Sequence, residues 1–365
     1  MRLRPTWIEV DLEAVRHNVR LLKPERAELM AVVKANAYGH GDAEVARAAL
    51  EAGATWLGVA LVEEGLALRT AGVEAPILVL SELPAGSERV ALDAGLTPSL
   101  YSDDGLRRLA AASGGGGVGV HVKVDTGMHR VGVYPAGALN AFLGRVTAAG
   151  LTVDALWTHF ASSAEDEETT GEQLTRFVDA VEGARAAGHT PPLLHAANSG
   201  ATIRCPRSHL DLVRVGIAAF GVEPAPGVGS NLGLRAVLTW RSAVTMTRRL
   251  PAGERVSYGH LYRLERDSNV ATVPVGYADG YPRLLSSRAD VLIRGRRCRV
   301  AGSVTMDQLI VDCGDLEVAA GDEVVLLGRQ GDEVVSAWEL AGHAETIAYE
   351  IVTRLGERVP RDFVG

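Results

Sequence analysis

Cysteine is scarce in this chain: three of 365 residues. Cys205, Cys298 and Cys313 are scattered and lack metal-ligand spacing, so neither a disulfide scaffold nor a metal site is expected. They read as buried, reduced thiols of a cytoplasmic protein. No apolar run is long enough to cross a bilayer. The start, Met1 to Trp7, lacks the apolar segment of a secretion signal. Positive charge is also in short supply. The formal net charge is −8, which argues against a general nucleic-acid binder. There is no short-period repeat. No Gly-x-Gly-x-x-Gly follows an early strand, and Gly114–Gly117 precedes a strand and reads as a flexible loop.

What is present is a large apolar fraction, 47%, enough for a sizeable core. Helical spacing runs from Asp11 to Leu22, with Asp11 placed as an N-cap. Eight strand-like runs then recur: Leu29–Val33, Trp56–Ala60, Pro76–Leu80, Leu96–Leu100, Val118–Val124, Val153–Trp157, Pro192–His195 and Leu212–Val215. Helical patterns separate them, such as Ala43–Ala52, Glu63–Ala71, Asp103–Ala112 and Gly171–Ala187. Eight strand–helix units in about 230 residues point to a (β/α)8 TIM-like barrel over 1–230. A doubly wound open sheet competes, because strand order is not readable from periodicity. Beyond it, 231–365 reads as a mostly-β domain with short turns, a final helical pattern over Ala344–Leu355 and an irregular tail.

In a barrel the loops after the strands build the active site. The first strand ends in Lys34, followed by the small, polar loop Ala35-Asn36-Ala37-Tyr38-Gly39-His40-Gly41. Later strand ends bring Lys123 to Arg130, Thr158-His159, Asn198-Ser199-Gly200 and Arg214-Val215-Gly216-Ile217. Barrels commonly hold phosphate after strands seven and eight, where Ser199 and Gly216-Ile217 precede helix starts with free N–H groups. Local sequence alone offers plainer readings: Lys34 snorkelling to water, Lys123 paired with Asp125, Arg214 paired with Asp211, His159 structural and Tyr258 a turn tyrosine.

These segments resemble the alanine racemase family over essentially the whole length. The resemblance is carried by Val33 to Gly41, Lys123 to Arg130, Trp157-Thr158-His159-Phe160-Ala161, Asn198-Ser199 and Arg214 to Ile217. The C-terminal part adds Ser257-Tyr258-Gly259, Gly276 to Tyr281 and Thr305-Met306-Asp307-Gln308. It implies pyridoxal 5'-phosphate (PLP) joined covalently to Lys34, a homodimer with shared active sites, and interconversion of L- and D-alanine for peptidoglycan. Two bases are implied, Lys34 on one face of Cα and Tyr258 from the partner chain on the other. His159 is implied as the hydrogen-bond neighbour of Tyr258, with Arg214 behind it and facing the PLP ring nitrogen. The phosphate is implied to rest on Ser199, Gly216, Ile217, Tyr38 and Tyr349, after Asn198. Arg130 is implied beside the PLP phenolic oxygen, placing the substrate carboxylate. Lys123 stands where the family lysine is often carbamylated, a change that would let it pair with Arg130. Met306 and Asp307 match the partner-chain loop that closes the substrate pocket, and Tyr277 the motif that narrows its entry. The nearest alternative is a racemase of broader or different amino-acid range on the same fold.

Overall fold

The computed structural model describes residues 3–365. It divides into two compact units, one comprising residues 15–37 and 42–235, the other residues 3–14, 38–41 and 236–365.

The first unit is the barrel. Its eight strands are Glu28–Val32, Trp56–Val59, Ile77–Val79, Leu96–Leu100, Gly119–Lys123, Thr152–Trp157, Leu193–His195 and Leu212–Val215. From the first strand to the seventh, neighbours along the chain pair in parallel, and the eighth strand pairs with the first, Leu29 against Val213. The open-sheet alternative is therefore set aside. Between the seventh and eighth strands no ladder forms. Instead the Asp211 carboxylate accepts from the Leu194 N–H at 2.8 Å, and the N–H groups of Asp211 and Arg214 donate to Leu194 and Ala197. Asp211 thus closes the seam and is not the partner of Arg214.

Several of the helices that follow the strands begin at a side-chain cap. The Asp11 carboxylate accepts from the Ala14 N–H at 2.9 Å, as a cap should. Ser102 caps Asp103–Ser113, which ends at Gly114 in the left-handed region, and Asp166 caps Glu167–Ala186. Inside the barrel, Met30, Leu78 and Leu212 with Trp56 and Leu80 form an apolar floor. A Cβ on Gly58 would lie 3.0 Å from the Met30 sulfur, so a larger residue there would have to displace the Met30 side chain. His121, Lys123, Trp157, His195 and Arg214, all buried, come from the later strands and form a polar layer.

The second unit is a ten-stranded sheet. Its core includes Trp240 and Tyr281, both buried, with ring centroids 5.8 Å apart. Thr6–Asp11 pairs antiparallel with Leu238–Ala243 and parallel with Arg361–Val364. The last residues are therefore a strand, where an irregular tail was expected. The final helix expected over Ala344–Leu355 is shorter, Ala348–Thr353, and an unexpected one, Ala337–His343, precedes it; Glu345 at φ +55° separates them.

Candidate active site

Lys34 leaves the first barrel strand at a reversal of screw sense. Ala35, Asn36, Ala37 and Tyr38 have φ of 52, 53, 49 and 53°, a left-handed helical turn built without glycine until Gly39. Left-handed geometry costs an L-residue roughly 1–2 kcal/mol, so neighbours must hold it. The Glu64 carboxylate accepts from the Ala35 N–H at 2.6 Å, and from Ala60 and Leu61 N–H at 2.8 and 3.1 Å. The Asn36 amide oxygen accepts from the Asp42 N–H. Glu64 thereby ties the turns after strands one and two together. Sequence gave no sign of this role, since Glu64 sits in an ordinary helical pattern.

Lys34 is half-buried, and burial together with the Arg130 charge lowers its amine below the usual lysine range, with Glu64 opposing. Lys123 is buried, with Nζ 4.9 Å over the Trp157 ring. Burial, then Arg130 and Arg214, bring it down to about 8. Its expected carboxylate is engaged elsewhere: Asp125 accepts from the N–H groups of Gly127 and His129. Arg130 is exposed and has no carboxylate partner among the described residues.

Arg214 is the hub. It is 3% exposed, and burial lowers it to about 9, still cationic at neutral pH. Its guanidinium donates to the carbonyls of Thr158 and Ala196 at 2.8 and 2.9 Å, and to Nδ1 of His195 and His159 at 2.9 and 3.2 Å. It also lies 4.9 Å over the Trp157 ring, which stacks on His195. An arginine only donates, so both Nδ1 atoms accept and each neutral ring carries its proton on Nε2. His195 Nε2 then donates to His121 Nδ1 at 3.1 Å. Burial and the Arg214 charge hold all three histidines below their ordinary range, His121 down to about 3. His121 and His195 received no role from the sequence. The signal for His121 was the alternation it shares with Lys123 on one strand, and for His195 its place at the end of the next strand but one.

After strands seven and eight, Asn198 caps Ser199–Arg204 by accepting from the Ala201 N–H at 3.1 Å. The buried Ser199 hydroxyl accepts from the Gly216 and Ala218 N–H groups at 2.9 and 3.5 Å, which joins the two turns. Ile217 is buried and opens the short helical turn Ile217–Phe220. These residues and the cations are brought to one end of the barrel.

The remaining expected site residues belong to the other unit. Tyr38 and Tyr349 face one another, ring centroids 6.4 Å apart. Tyr258, Tyr277, Met306 and Asp307 line one open concavity. Tyr258 is 76% exposed, yet its turn is braced: the Ser303 hydroxyl donates to the Tyr258 carbonyl at 3.0 Å, and the Ser257 hydroxyl to the Ser303 carbonyl at 2.7 Å. Asp307 pairs with Arg358 at 2.8 Å.

The barrel with its lysine-bearing, cation-rich mouth, and the β unit carried on the same chain, make a two-unit barrel protein. Models of the alanine racemase N-terminal and C-terminal domains match residues 10–224 and 237–363. The chain belongs to the alanine racemase family, whose members are PLP-dependent. It is 50% identical to the alanine racemase of Symbiobacterium thermophilum, covering 100% of this chain and 98% of that protein. It is 44% identical to that of Frankia casuarinae, covering 97 and 95%. Among solved structures it resembles alanine racemase from D-cycloserine producing Streptomyces lavendulae, with TM-score 0.94, 41% identity and coverage of 100 and 98%. It also resembles the Bacillus anthracis alanine racemase with bound L-Ala-P, with TM-score 0.94, 37% identity and coverage of 100 and 96%. Among the described residues no helix is long and apolar enough to cross a membrane, and no group of three His, Cys, Asp or Glu could hold a metal ion.

Proposed function

We propose that this chain interconverts L- and D-alanine by proton transfer at Cα, as a cytoplasmic homodimer supplying D-alanine for peptidoglycan. The observation that carries the reading is Arg214: buried, donating to Nδ1 of His159, and without a carboxylate partner among the described residues.

The residues fit PLP. Lys34 offers an amine of lowered pKa for the aldehyde. Arg130 and Arg214 supply positive charge for a strongly anionic group. Ser199, which accepts two backbone N–H groups, keeps its own proton to donate to a phosphate. Gly216 and Ile217 stand beside it, Asn198 holds the turn, and Tyr38 and Tyr349 would complete the phosphate's donors. When bound, PLP supplies an electron sink that acidifies the Cα proton of the attached amino acid.

The chain's own groups then do the proton work. Lys34, with an amine eased toward its neutral form, takes or returns the proton on one face. Tyr258 of the partner subunit serves the other face. His159 would offer its Nε2 proton to that phenol oxygen. Arg214 cannot accept a proton at working pH, so it would leave the ring nitrogen unprotonated and restrain decarboxylation and transamination. Arg130 would orient the substrate carboxylate, steadied by a carbamylated Lys123. Met306 and Asp307 of the partner subunit would close the pocket, with Tyr277 at its entry. A small pocket would reject longer side chains by bulk, although one methylene discriminates by only about 1–3 kcal/mol.

The test is incubation of protein and PLP with L-alanine in heavy water, following Cα proton loss by NMR and the enantiomer ratio by chiral chromatography. Exchange with approach to equal enantiomers is expected. Exchange with retained configuration would overturn the two-base reading.

A further inference from the structure

Cys298 and Cys313 lie on adjacent antiparallel strands, Arg296–Val300 and Leu309–Gly314. The register sets Arg299 against Asp312 and Val300 against Val311, so the next position outward sets Cys298 against Cys313. The Ala301 N–H donates to the Ile310 carbonyl. Counting from that bond, Cys298 and Cys313 form a pair without mutual backbone hydrogen bonds, the kind whose side chains stand closest. Both side chains share the buried face with Val300 and Val311, and the Cys298 and Cys313 thiols donate to the Arg296 and Val311 carbonyls at 3.7 and 3.8 Å. Separations of this kind lie within the span a disulfide bridges. Cys313 is also the extra residue of a bulge, since Asn269 pairs with Gly314 and Val270 with Asp312. A bulge loosens the local ladder and allows a side chain to re-aim. Nor is the pair sealed off: both cysteines line an open concavity of about 650 Å³ edged by Arg266, Arg296 and Arg299.

We propose that Cys298 and Cys313 are a redox-active dithiol that closes to a cross-strand disulfide when met by a hydroperoxide. Cys298 is the attacking sulfur. The neighbouring Cys313 thiol and the Arg296 charge favour its thiolate, while the nearness of Cys298 and burial push the Cys313 thiol up. With hydrogen peroxide, the Cys298 sulfur forms an S–O bond as the O–O bond breaks, leaving a sulfenic acid and one water. The Cys313 sulfur then attacks, the S–S bond forms, the S–O bond breaks and a second water leaves. Two thiols lose two electrons and two protons, and one peroxide becomes two waters. The site has a structural outlet. Asp312, next to Cys313, accepts from the Tyr262 hydroxyl at 2.9 Å, and Tyr262 belongs to the hairpin whose turn carries Tyr258.

The experiment treats the folded full-length protein with hydrogen peroxide, quenches it, alkylates it after denaturation and maps peptides by mass spectrometry. The expected result is a peptide pair joined through Cys298 and Cys313, a mass lower by two hydrogens, a single alkylatable thiol at Cys205, and full reversal by dithiothreitol. Cys205→Ser keeps the bridge, and Cys298→Ser abolishes it. Three alkylatable thiols after oxidation, or separate sulfinic acids at Cys298 and Cys313, would overturn the proposal. Should Cys298→Ser fail to fold, the peptide map of the unsubstituted protein decides alone.

Discussion

Arg214 donates to Nδ1 of His159 at 3.2 Å, and this contact decides which ring nitrogen of the histidine holds its proton. The imidazole is left neutral with Nε2–H as its only donor. Nitrogen-15 NMR of histidine-labelled protein should therefore show His159 and His195 as Nε2–H tautomers, unchanged between about pH 6 and 8. A His159 that titrates near its ordinary value would break the link between Arg214 and the proton chemistry.

The buried histidines also make stability depend on pH. His121 and His195 stay neutral in the folded state to well below 6.5, His121 to about 3, whereas the unfolded chain protonates both near 6.5. The unfolded state thus binds more protons below 6.5, so stability is whole above that pH and falls as pH drops toward 3. Two such groups remove up to about 3 kcal/mol per pH unit once pH is below 6.5. Urea unfolding at pH 7.5, 6.5 and 5.5 measures this, and His121→Gln should shrink the slope.

Tyr258→Phe should lose racemisation by about 100-fold or more, the span a single general acid–base group supplies. The cofactor should remain bound, and Cα exchange should continue with the configuration kept in one direction. Unchanged rates in both directions would remove Tyr258 from the mechanism.

Lys123, at about 8, holds a substantial neutral fraction at mildly alkaline pH, and only the neutral amine takes up carbon dioxide. Protein equilibrated with carbon-13 bicarbonate should show a carbamate signal that grows as pH rises through 8 and vanishes in Lys123→Asn. A signal that persists in the variant would place the modification elsewhere.

Gly276→Ala should disturb the Met306 turn. A Cβ there would fall 2.2 and 2.3 Å from the Thr305 and Met306 carbonyl oxygens, both backbone atoms with little room to yield. A loss of about 3 kcal/mol is expected, measured by thermal unfolding, with KM for alanine raised more than PLP affinity.

The barrel was legible because each of its strands is a short apolar run set between amphipathic helices, and the runs need no partner to be recognised. The terminal strand Arg361–Val364 was not: four residues with two charges form a strand only because Thr6–Asp11 offers an edge. Lys34 could be found from its place at a strand end together with the family motifs. The turn that aims it could not, since Ala35, Asn36, Ala37 and Tyr38 carry no glycine to announce positive φ. The same holds for Asp211 and Glu64, whose carboxylates bind backbone N–H groups distant in the chain. Such partnerships exist only once the barrel has closed.

That reversed turn has a consequence for chirality itself. A left-handed helical backbone is the unstrained conformation of a mirror-image residue, so the four residues after Lys34 form a track better suited to D- than to L-amino acids. Ala35 is exposed there at φ 52°. A semisynthetic protein carrying D-alanine at that position should melt higher than the all-L chain. A protein assigned to swapping the hand of alanine thus holds an L-alanine, at its own reactive lysine, in the posture of the opposite hand.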